Sequence, residues 1–188
     1  MSSRSSNVRC LSALFLGAAL SLTAAACGGG AAAGGGAETG ADGSLVGKAA
    51  PDFTAEAVGG EGPKSVKEAN GKVVIVDFWG TFCGPCKKSF PKYQELVDQF
   101  GGDLAVIAVS VDEPDTEKSK LEEFIKTTGV KFSVVWNKDK SAAKSYGVET
   151  MPTAFVIDKT GVVKFIHAGY HDGEEDKLAE EIKGLIGN

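Results

Sequence analysis

Histidine and cysteine are scarce in this chain: two His and four Cys among 188 residues. Scarcity at that level excludes a disulfide-dense scaffold, so the fold must rest on an apolar core. It also leaves few ligands for a closed zinc site, which needs four. An excess of cations is missing as well. The formal net charge is −5, with a pI near 5.1, which argues against a nucleic-acid partner. No apolar run is clearly long enough to span a bilayer. The longest, "LSALFLGAALSLTAAA" at 11–26, falls short of the required length of about 20 residues. With 43% hydrophobic residues, the remainder suffices for one globular domain.

What the first residues do contain is a basic start with Arg4 and Arg9, that apolar run, and the small residues Ala24 to Ala26. This order predicts an export signal over residues 1–26. "TAAAC" before "GGG" resembles the lipobox of bacterial lipoproteins, with Ala24 where that family usually has Leu. The resemblance implies a lipidated Cys27, a membrane anchor and an extracytoplasmic location on the periplasmic side. A plain secreted protein or an uncleaved anchor helix are the alternatives. Residues 27–46 are rich in Gly and Ala and predict a flexible tether. The folded domain is expected over 47–188.

Within that domain the spacing predicts an extended segment at "PDFTAEAV" (51–58), then buried strands over 71–79 and 103–112. Helices are predicted over 85–100, 116–128 and 140–148, with a strand at 132–136. A hairpin over 153–158 and 162–169 and a closing helix over 173–186 complete the order. Strands alternating with helices imply an α/β domain with a mixed central sheet flanked by helices.

Cys83 and Cys86 lie in "DFWGTFCGPCKKSFP" at 77–91. No further Cys lies in the domain, and Lys87 occupies the position where haem attachment would need His. A structural staple is the remaining alternative, but so small a ring restricts the unfolded chain very little. The pair follows a buried strand and opens a helix, where unpaired N–H groups and the helix dipole favour a thiolate. Pro85, with fixed φ and no donor, suits the first turn. Spacing and context therefore point to a redox-active pair, with no other cofactor. By geometry Cys83 is the nucleophile, exposed at the turn, and Cys86 the partly buried resolving thiol. Lys87 and Lys88 either favour the thiolate slightly or simply face solvent. His167 is read as a strand residue without chemistry.

"VVIVDFWGTFCGPCKKSFP" at 73–91, followed by "TMPT" at 150–153, resembles the thioredoxin superfamily. Pro91 matches the proline that kinks that family's first helix. The resemblance implies that Pro152 is a cis-proline facing the cysteines, and that the backbone of its neighbour Met151 pairs with substrate. It also implies that Asp77, an acid inside an apolar strand, carries the proton of Cys86, with a solvated acid as the alternative. Thioredoxins tend to place a Lys on the next strand near that Asp, and "LAVIAVSVD" (104–112) has none. An inserted helix and strand over about 116–136 resembles the TlpA/ResA type of thiol–disulfide oxidoreductase. Some members have a functional acid after the second core strand; Asp112 and Glu113 are the candidates, against a reading as solvated loop acids. Trp79 and Phe82 are expected to pack around the active turn, and Trp79, Gly84, Pro85 and Met151 to line the substrate site.

This resemblance implies a monomeric protein-disulfide reductase for oxidised protein thiols. Its electrons would come from an integral-membrane thiol reductase, and its clients would include apocytochromes c. Two other functions compete. A copper chaperone on the same fold would use CxxxC and a distant His. A peroxiredoxin-like peroxidase would have Thr and Pro where Gly80 and Val76 stand.

Overall fold

The structure, a computed structural model, describes residues 43–69 and 71–187. The export signal (1–26), Cys27 and the tether up to residue 42 lie outside the described residues. Of the tether's last positions, Gly43–Leu45 form one 3-10 turn, and Leu45 packs against the domain. Among the described residues no helix is long and apolar enough to cross a membrane.

Six strands form one sheet: β1 (Glu56–Gly59), β2 (Val73–Trp79), β3 (Leu104–Ser110), β4 (Ser133–Trp136), β5 (Thr153–Ile157) and β6 (Val163–Ala168). Their spatial order is β1-β4-β3-β2-β5-β6. β2, β3 and β4 run parallel, while β1, β5 and β6 are antiparallel to their neighbours. Every residue of β2 and β3 is buried. This explains their largely apolar character, since central strands covered on both faces have no solvent side; Asp77 in β2 and Ser110 at the end of β3 are the polar exceptions.

The helices are α1 (Cys86–Phe100), α2 (Lys118–Thr128), α3 (Ser141–Ser145) and α4 (Glu174–Ile186). α1 buries Phe90, Tyr93 and Leu96 at helical spacing. α3 is shorter than its predicted span because Gly147 adopts a left-handed conformation, φ 64°, which ends the helix. α2 and β4 are the expected insertion, and β4 extends the sheet beside β3.

Alternation along the strands divides the core in two. Val73, Ile75 and Trp79 face α1, α2 and α4, in the cluster that also holds Cys83, Cys86, Phe90, Phe124 and Leu178. Val74, Val76 and Phe78 face the other way, against α3 and the N-terminal segment. There the rings of Phe78, Tyr146 and Phe155 meet at centroid distances of 4.8 to 5.8 Å.

Candidate active site

β2 ends at Trp79, and the chain turns through Gly80 to Pro85 into α1. The turn is held by a hydrogen bond from the Cys83 N–H to the Gly80 carbonyl, 2.9 Å. A Cβ at Gly80 would lie 2.6 Å from the Phe82 ring, so a larger residue there would push that ring aside. The ring folds back over position 80 and remains 67% exposed. Both residues flank the active turn, Phe82 on its exposed side and Trp79 in the core. Trp79 stacks at 4.5 Å on Phe124 and at 5.1 Å on Phe90. This contact fixes the inserted α2 to the strand that delivers the cysteines.

Cys83 and Cys86 form a disulfide, with Cα atoms 5.3 Å apart. The Cys86 N–H, at the first residue of α1, donates to Cys83 Sγ at 3.2 Å. The sulfur thus already accepts one of the unpaired donors of a helix N-terminus. Cys86 is fully buried, and Cys83 is only 6% exposed. The expected exposure of Cys83 is not found: it belongs to the apolar cluster that holds Trp79 and Phe90. The exposed atoms beside it belong to Phe82, Gly84 and Pro85, and Lys87 and Lys88 face solvent.

The Met151–Pro152 peptide is cis. β5 starts at Thr153, paired with Phe78, so Pro152 lies at the end of the sheet from which the cysteine turn leaves. Met151 is half-buried against the cluster that contains both cysteines. The Pro152 carbonyl accepts the Gly169 N–H at 2.8 Å.

Asp77 points to the cysteine side of the sheet and is 0% exposed. One carboxyl oxygen accepts the Tyr93 hydroxyl at 3.2 Å; the other is buried without a partner. Burial pushes this carboxyl well above the usual range. The Tyr93 hydrogen bond works against that rise, and the charge of Glu174 adds to it.

Asp112 is no solvated loop acid. It is 2% exposed and accepts the Thr81 N–H, the Thr81 hydroxyl and, at 2.7 Å, the Ser110 hydroxyl. Its own carbonyl takes the Trp136 indole N–H at 3.1 Å. It therefore ties the turn before Cys83 to the end of β3. Glu113 instead pairs with Lys140 at the surface.

His167 lies on β6, the strand position expected of it. It is buried, with Nδ1 3.0 Å from Glu174 and Nε2 2.7 Å from Glu181. Burial alone would lower its pKa, but the two carboxylates raise it to about 9. The missed signal is the pairing of a β6 histidine with glutamates at 174 and 181 of the next helix, two turns apart. Among the described residues no group of three or more His, Cys, Asp or Glu side chains is placed to hold a metal.

A buried cysteine pair at the start of the first long helix, a cis-proline at the same end of a mixed sheet, and a buried acid on the cysteine side of that sheet define the class. The protein is a thiol–disulfide oxidoreductase of the thioredoxin superfamily. The AhpC/TSA family model matches residues 46–166, and the chain belongs to that family.

Its relatives agree with the TlpA/ResA type. The chain is 38% identical over 142 residues to the thiol-disulfide oxidoreductase ResA of Bacillus thuringiensis subsp. konkukian, covering 74% of this chain and 78% of that protein. It is 32% identical over 123 residues to the thioredoxin-like protein YneN of Bacillus subtilis, covering 65% and 71%. A thiol:disulfide interchange protein DsbE from Chlorobium tepidum superposes with a TM-score of 0.66 at 30% identity, covering 75% of this chain and 97% of that one.

Proposed function

We propose that this protein is a membrane-tethered, extracytoplasmic reductase of protein disulfides that works through the Cys83–Cys86 dithiol. The observation that carries the reading is the disulfide at the start of α1, beside the cis Met151–Pro152 peptide. In the reduced protein the Cys83 thiolate attacks one sulfur of a client disulfide, and the client's other sulfur leaves as a thiolate. Cys86 then attacks Cys83 Sγ in the mixed disulfide, releasing the second client thiolate, which solvent protonates. The Cys86 proton passes to the Asp77 carboxylate. Two electrons leave the dithiol and two client thiols form. In the return direction a donor dithiol attacks Cys83, and Asp77 returns the proton to Cys86.

Several features support parts of this scheme. The Cys86 N–H on Cys83 Sγ favours the thiolate. The exposed Phe82, Gly84 and Pro85 surround the nucleophile and, with the half-buried Met151, form the client-facing side, whereas Trp79, fully buried, supports the turn from below instead of lining the substrate site. The Gly-Pro pair is that of reducing thioredoxins, whose potential is about −270 mV, against about −120 mV for a strong oxidant. A reductant outside the cytoplasm needs electrons carried across the membrane, so an integral-membrane thiol reductase is the donor. Cys27 is the lipid-anchor residue, the domain works as a monomer, and no cofactor besides the disulfide takes part. Clients are oxidised cysteine pairs such as those of apocytochromes c.

The test is a Cys86→Ser variant, expected to accumulate a mixed disulfide through Cys83 that Cys83→Ser does not form. A wild-type potential near the −120 mV figure for a strong oxidant would defeat the reductant reading. Tight copper binding by a reduced protein that exchanges no disulfides would replace it with the chaperone.

A further inference from the structure

The Asp77 carboxyl does not stand alone in its layer. Asp77 on β2 pairs with Ala154 on β5, and Ala154 pairs with His167 on β6. Directly paired residues of antiparallel strands project to the same face, so Asp77, Ala154 and His167 form one row. Only the methyl group of Ala154 separates the two polar side chains along it. α4 covers this end of the row with Glu174 in its first turn and Glu181 two turns on.

Glu174 holds His167 Nδ1 through one oxygen, and its other oxygen accepts the His171 N–H at 3.4 Å. Glu181 holds Nε2. All three side chains are largely shielded from solvent, at 5%, 14% and 12% exposure. An imidazolium between two carboxylates leaves the group with one net negative charge. Such a charge has little screening in a buried layer.

We propose that the His167–Glu174–Glu181 cluster is a positioning device for the redox reaction, its residual negative charge beside Asp77 setting the pH at which that carboxyl exchanges a proton with Cys86. Glu174 is the member whose charge acts on Asp77; His167 holds one of its oxygens, and Glu181 holds the other side of the imidazole. The proposal rests on the reading of Asp77 as proton carrier.

The other groups around Asp77 leave this role to Glu174. From α1 come Tyr93, which donates to Asp77, and Cys86 in the same layer. β3 and β5 place Ala108 and Ala154 opposite it. Lys92 on α1 is neutralised by Glu95 and Glu175. The charge of Glu174 raises both Asp77 and Tyr93. His167, raised to about 9, stays charged through the neutral range.

The experiment titrates the Asp77 carboxyl carbon by NMR in the reduced full-length protein. In parallel, the pH dependence of oxidation by glutathione disulfide is measured. Glu174→Gln is expected to move the Asp77 midpoint toward acid by about one pH unit, a tenfold change in ionised fraction at fixed pH. The oxidation-rate profile should move with it. Glu181→Gln is expected to move both in the same direction by less, and it serves if Glu174→Gln melts below assay temperature. A midpoint and profile that stay in place in the folded variants would overturn the proposal. Asp77→Asn separates the two readings. If it removes the inflection in the rate while the glutamate variants change nothing, only the cluster's role falls. If it leaves the rate profile intact, Asp77 is no proton carrier and the cluster's role falls with it.

Discussion

Asp77 combines two features that rarely coexist in a stable core: full burial and a carboxyl oxygen with no partner. A buried acid with a raised pKa gives its full contribution to stability below the unfolded value, about 3.9, and loses it as pH rises toward the folded value. At neutral pH it is therefore a liability to the fold. Asp77→Asn is expected to stabilise the protein at neutral pH by about 1–3 kcal/mol. Urea unfolding measures this, and the gain should vanish at acid pH, where Asp77 is protonated in both states. The sequence shows this acid inside its strand, while its solitary oxygen and its exposure to Glu174 depend on how α1 and α4 pack.

At the scale of elements, the cysteine turn depends on β3 as much as on β2. Asp112 follows β3 and accepts both polar groups of Thr81, two residues before Cys83. Asp112→Ala would leave the Thr81 N–H and the Ser110 hydroxyl without this partner. We expect it to destabilise by about 2–4 kcal/mol and to slow disulfide exchange. Glu113→Ala, which loses only an exposed ion pair, should cost at most about 1 kcal/mol. Urea unfolding and exchange rates of the two variants make the comparison. From the sequence these neighbouring acids were indistinguishable, because burial of one and exposure of the other is settled by the turn that wraps Asp112. The order of strands and helices was legible throughout, since apolar runs and helical spacing are local signals. Helix ends were less so: α3 stops early at Gly147.

For the whole molecule, a pH-dependent contact joins β6 to α4. His167 is raised from 6.5 to about 9. Its contribution is fully present below pH 6.5 and is lost as pH rises through about 9. The loss corresponds to about 2–4 kcal/mol. Thermal melts should show Tm falling across that interval, and His167→Gln should flatten the fall while lowering Tm at neutral pH. A Tm independent of pH there would mean that the α4 carboxylates do not hold the imidazolium.

The insertion and the proline opposite were implied by the family resemblance, while the sequence by itself determined the α/β class and the cysteine pair at a helix start. Each is written in neighbouring residues, as a periodicity, a spacing or a fixed backbone preference. Only the tertiary structure decided which acids and which histidine are buried together. Asp77 is far in the chain from the other three, and the spacing of His167 to Glu174 and Glu181, 7 and 14 residues, runs from a strand into a helix and so belongs to no single-element pattern. They meet because strand register aligns one row across the sheet and α4 closes over it, and burial then makes their charges act on one another.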